Sequence, residues 1–129
     1  MGMKKDKLSD EQKAELERLR PFIARQGLVA KMNGGNWRAA LDAIIGLADY
    51  PSAYRVRCVR DTQDPPLAWQ GPLPQGLPLY NFIEWLELDP RPVKGRDWSG
   101  ELKQALQAAG IPVTETATGL RIIGYARNR

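Results

Sequence analysis

The chain of 129 residues contains no histidine and a single cysteine, Cys58. Without histidine, Ser-His-Asp triads, histidine general bases and histidine-based zinc sites are excluded. One thiol forms no intramolecular disulfide. No run approaches the roughly 18 apolar residues of a membrane span. The opening "MGMKKDKLSDEQ" has basic residues with no apolar segment behind them, so no secretory signal is expected and the expected compartment is the cytoplasm. A strong charge of one sign is missing too: 19 Lys and Arg face 15 Asp and Glu, for a net +4. The excess sits at the two ends, since residues 1–31 hold eight basic against five acidic side chains and residues 99–129 four against two. Mildly basic ends do not by themselves imply nucleic acid. Asp61, Asp64, Asp89 and Asp97 are too scattered for a calcium loop, and "GGNWRAA" lacks the pattern of a phosphate loop. No cofactor and no metal is expected. An enzyme would have to work with carboxylates, Lys, Arg, Tyr or Ser alone.

What is present reads as a soluble globular protein. Residues 1–7 are expected to be frayed and residues 8–129 to form a single α+β domain. Ser9 and Gln12 have the form of a capping box that opens a helix, with Asp10, Glu11 and Glu15 in its early turns. Pro21 predicts a kink or a break and restart. Gly27 is a stop, and "LVAKM" is expected to add another turn. In "NGGNW", Asn33-Gly34-Gly35 is turn chemistry and Asn36 is the expected cap of a second helix, Trp37 to about Ala48. Trp37, Leu41, Ile44, Ile45 and Ala48 form its apolar stripe.

"AYRVRCVR" alternates as a strand, with Tyr54, Val56 and Cys58 on one face and Arg55, Arg57 and Val59 on the other. Residues 61–78 hold five prolines and two glycines, a length and composition that mark a functional loop or a disordered one. A short strand near Leu67–Gln70 is expected to interrupt it. Leu79 to Asp89 is a strand stopped by Pro90 and Pro92. Ser99 caps a third helix, with Leu102, Leu106 and Ala109 inward and Gly110 at its end. "IPVTE" and "LRIIGY" form a hairpin through "TATG". The order ααβ(β)βαββ does not alternate helix with strand. It predicts an antiparallel sheet of four to five strands with helices on one face.

Glu84 and Glu87 are the acids that invite a catalytic reading. They are three apart, and strict alternation sends them to opposite faces, which argues against a dyad. Cross-strand pairing with Arg55 or Arg57 is the expectation instead. Arg55, Arg57 and Arg60 form either a phosphate-reading stripe beside Tyr80 and Trp85 or a solvated face neutralised by nearby acids; the second is favoured. Cys58 alternates inward as a small buried thiol. Trp69, amid Pro and Leu, either anchors a partner or covers a sheet edge with Leu67, Leu73 and Leu77.

"LVAKMNGGNWRAALDAI", "NFIEWLELDPR" and "IPVTETATGLRIIGY" together resemble the landmarks of a family of small bacterial proteins catalogued as a domain of unknown function. The resemblance covers most of the chain from about Leu28, chiefly through Asn36-Trp37 and Ile83-Glu84-Trp85. It implies no catalytic residue. Small α+β proteins of this kind look similar, as a class, to immunity proteins that neutralise toxins of competing bacteria. The expected function is therefore protein binding without enzymatic activity, with a bacterial toxin domain as the expected partner and Trp69, Arg55, Arg57, Glu84 and Glu87 as the expected contacts. The alternative is a nucleic-acid-associated accessory protein using the basic ends with Arg55 and Arg57.

Overall fold

The computed structural model describes residues 8–66 and 68–127. The expected fraying of residues 1–7, and Leu67 of the expected short strand, lie outside them. Three helices, α1 (Asp10–Arg25), α2 (Gly34–Ile45) and α3 (Ser99–Ala108), accompany six strands: β1 (Leu28–Ala30), β2 (Tyr54–Cys58), β3 (Ile83–Leu88), β4 (Thr114–Glu115), β5 (Leu120–Ile123) and β6 (Tyr125–Arg127). The class is α+β with antiparallel sheets. One sheet of four runs β2-β3-β5-β4, and a second joins β1 and β6. The described residues gather into two compact units, residues 8–29 with 127, and residues 30–66 with 68–126.

In the first unit, the expected capping box is present: Ser9 N donates to Gln12 Oε1 at 2.9 Å and Gln12 N to Ser9 Oγ at 3.1 Å. Of the kink or break and restart expected at Pro21, the break is absent: the helix runs on to Arg25, because proline removes only one hydrogen bond from a ladder already nucleated upstream. Gly27 does end it, at φ 65°. The extra turn expected at "LVAKM" is a strand instead, since Leu28–Ala30 finds a partner almost a hundred residues away.

In the second unit, Asn33 and not Asn36 caps α2. Its Oδ1 accepts from Asn36 N at 2.7 Å, while Asn36 Oδ1 accepts from Asn33 N at 2.9 Å. Gly34 and Gly35 thus form the first turn of the helix. Trp37, Ala40, Leu41 and Ile44 are its buried stripe, whereas Ile45 is 48% exposed and Ala48 lies past the helix end. Those residues pack with Leu102 and Leu106 of α3 on Tyr54, Leu86, Leu88, Leu120 and Ile122. One face of the four-stranded sheet is therefore apolar and helix-covered. β3 begins at Ile83, after a 3-10 turn at Tyr80–Phe82, later than the expected Leu79. The "TATG" hairpin forms as expected, although β4 keeps only two residues.

Candidate functional site

The opposite sheet face carries the charged residues. β2 and β3 pair as Tyr54↔Leu88, Arg55↔Glu87, Val56↔Leu86 and Arg57↔Trp85, then slip to Cys58↔Ile83. Glu84 is the extra residue of a β-bulge, skipped by the β2 register while its carbonyl accepts from Gly124 N at 2.8 Å. The bulge overturns the expectation that Glu84 and Glu87 face opposite ways. Ile83 stays in the core, and Glu84 Oε1 accepts from Arg57 Nε at 3.2 Å, on the face where Arg55 meets Glu87.

Glu87 has no exposed surface. Its Oε1 accepts from Arg55 Nε at 3.0 Å and Nη2 at 2.5 Å. Its Oε2 accepts from the hydroxyls of Thr116 and, at 2.7 Å, Thr118. Arg121 Nη2 stands 3.8 Å from Oε1. Burial alone would raise the Glu87 carboxyl. The hydrogen bonds from Thr116, Arg55 and Thr118, with the charge of Arg55, outweigh it and hold the group below the ordinary carboxylate value.

The arginines interleave with tryptophans. Arg55 lies 5.3 Å from the ring of Trp69 and 5.7 Å from that of Trp85, and Arg121 lies 3.8 Å over Trp85. A guanidinium over a ring at such distances is attracted to the ring face. Arg57 also binds Asp64 at 2.9 Å and the Asp61 carbonyl at 2.9 Å.

This geometry corrects the expectation of a solvated charged face. Arg55 is 5% exposed, and Glu84 and Glu87 are buried with it. An extended strand next to a loop rich in proline looks wet in sequence, yet here the loop lies over it: Arg55 Nη1 donates to the Pro66 carbonyl at 3.3 Å. Arg55 and Arg57 are occupied by acids and are not presented as a phosphate-reading stripe. Cys58 is half-buried, and burial followed by the Asp61 charge pushes its thiol up, away from reactivity.

The loop 61–78 has little regular structure, as expected, but it is pinned. Tyr54 and Gln70 exchange both backbone hydrogen bonds, at 2.9 and 2.8 Å, forming a one-residue bridge. Leu73 N donates to Ser52 Oγ at 3.0 Å, and the Tyr54 hydroxyl donates to the Gln75 carbonyl. Gly71, at φ 138°, passes so close to Ser52 that a Cβ would sit 2.8 Å from its carbonyl oxygen. Leu73 is buried and Leu77 packs on the core, while Trp69 is half-buried beside Arg55. Pro74, Leu77, Pro78, Leu79 and Tyr80 line an open groove of about 250 Å³.

Thr116, Thr118 and Arg121 were missing from the expected site. Their only sequence signal is the alternation of Arg121 with Leu120 and Ile122, which sets it on the face away from the core. Among the described residues, no group of three or more acids or thiols is arranged to hold a metal, and no helix is long and apolar enough to cross a membrane.

Fold and site together define a small α+β protein with a buried Arg-Glu-Trp seam on its sheet. The chain belongs to the family of unknown function DUF6678, which it matches over residues 19–129. That bears out the resemblance carried by Asn36-Trp37 and Ile83-Glu84-Trp85. No curated protein and no solved structure matches the chain.

Proposed function

We propose that the protein is a binding module for another protein, not an enzyme, and that it acts by covering its partner. The observation that supports this reading is the pinned loop. The proline-rich loop is tied at Gln70, Leu73 and Gln75 to Tyr54 and Ser52, so ordering of that stretch precedes the arrival of a partner. Preordered surface avoids much of the entropy cost of association. The loop presents a half-buried Trp69 and an apolar groove ending at Tyr80, the residue types that anchor interfaces. Glu84 and Glu87 are each held by arginine, which leaves neither as a free acid or base. Within this reading, an immunity protein that occludes a toxin domain is the form favoured by class analogy. Because Arg55 and Arg57 are occupied by acids, the geometry weighs against nucleic acid.

Trp69→Ala tests the reading in two assays. Partner capture from the source cells should lose a protein retained by the wild type, with the melting temperature little changed. The captured protein, if an enzyme, should lose activity as the chain is added to equivalence. Undiminished capture by the variant rejects the loop as the docking surface. Full activity of the partner at saturation rejects occlusion.

A further inference from the structure

An open cleft of about 320 Å³ lies in the second unit, lined by Lys31, Met32, Pro112, Thr114, Ile123 and Ala126. Its lining is mostly apolar, and none of it is acidic. Arg121 does not line it but neighbours two residues that do: Thr114 pairs with Arg121 across β4 and β5, and Ile123 follows two residues later on the same face.

Arg121 is poorly satisfied where it stands. Its Nε–H is buried and has no hydrogen-bond partner among the described residues. Its ion pair with Glu87 is long, 3.8 Å, to an oxygen that Arg55 already holds at 2.5 Å. One carboxylate oxygen thus serves two guanidiniums, and Arg121 has the longer contact of the two. The neighbouring acid on β4, Glu115, is taken by Lys103 at 2.5 Å. The Arg121 side chain remains 27% exposed, with its guanidinium carbon held 3.8 Å from the centre of the Trp85 ring. A guanidinium fixed in this way is preorganised for a carboxylate. Lys31, exposed on the cleft wall, supplies a second cation.

We propose that this cleft binds an acidic peptide segment of a protein partner, with one large apolar side chain in the cleft and flanking carboxylates on Arg121 and Lys31. The volume suits such an anchor. The two cations give it charge complementarity, and the absence of acids from its lining removes repulsion. The inference rests on the protein-binding reading but uses a different surface from Trp69.

The probe is a capped nine-residue peptide of Glu and Gly with a central Leu, titrated into the isotope-labelled full chain and followed by NMR. The Met32 and Ile123 methyl signals and the Arg121 Nε–H should shift in a saturable way. Replacing the central Leu with Ala should weaken binding about tenfold, and replacing Glu with Lys should abolish it. Lys31→Gln, an exposed change that leaves folding intact, should weaken binding several-fold, and Arg121→Gln more. The proposal is overturned if millimolar peptide leaves those signals unmoved, if the Ala peptide binds equally, or if Lys31→Gln binds like the wild type. None of these outcomes bears on the Trp69 loop, so this failure is separable from failure of the docking reading above.

Discussion

A carboxylate with no exposed surface, held by two arginines and two threonines, concentrates risk in one side chain. Removing Glu87 leaves Arg55 buried without its acid. Breaking a buried pair from one side costs about 3–5 kcal/mol, so Glu87→Ala should lower the denaturation midpoint sharply. Replacing Arg55 and Glu87 together by apolar residues of similar volume should cost far less. Glu87 also carries a pH signature. Its folded value is below the unfolded value of about 4.3, so its stabilisation is complete above that pH. It is lost as pH falls through the folded value. Glu87→Gln should therefore show a flatter stability curve below about pH 4.3, and acid unfolding identical in slope to wild type would refute this. Trp37, 1% exposed, is core in a simpler way. Trp37→Ala should cost about 3–5 kcal/mol in a denaturant titration.

At the scale of the element, the start of α1, the stops at Gly27 and Gly110 and the hairpin were legible because their chemistry is local. Ser99 is not the expected cap but the first residue of α3, whose cap position is Trp98 without a side-chain bond, and α2 stops at Ile45, short of Ala48. Ser9 with Gln12 and "TATG" act within four residues. Asn33 was misplaced by three positions because Asn33 and Asn36 cap reciprocally, and either alone looks like a cap. Asn33→Ala should cost about 1 kcal/mol, measurable as a small drop in melting temperature. Strands were harder. β1 and β6 exist through pairing between residues near the two ends of the chain, and neither three-residue segment announces it. The bulge at Glu84 was invisible to alternation, which counts parity and has no term for a skipped partner. One extra residue brought Glu84 to the same face as Glu87, where alternation had put the two acids on opposite faces. Burial of Arg55 was missed for a related reason: what covers it is a loop, and loop placement leaves no period in the sequence. Close strand approach is also fixed at Gly124, where a Cβ would lie 2.3 Å from the Ile83 carbonyl oxygen and 3.1 Å from Trp37. Gly124→Ala should therefore lose about 1–3 kcal/mol by overpacking, read from the unfolding midpoint.

For the whole molecule, composition set the useful limits. Absent histidine and a lone thiol leave few ligands for a first-row metal, and chelation should leave the melting temperature unchanged; a drop reversed by one particular cation would contradict that. The carboxylate at the centre of the sheet has a further consequence, in the timing of exchange with solvent. A two-residue edge strand such as β4 ordinarily opens on its own, and its amides exchange quickly. Here Thr116, the residue after β4, donates its N–H to the Gly119 carbonyl at 2.8 Å, and its hydroxyl grips a carboxylate on β3 that also binds β2. The edge cannot peel away without exposing that charge. The Thr116 and Gly119 amides should therefore exchange as slowly as those of Leu86 in mid-sheet, and Glu87→Gln should release the hairpin pair first.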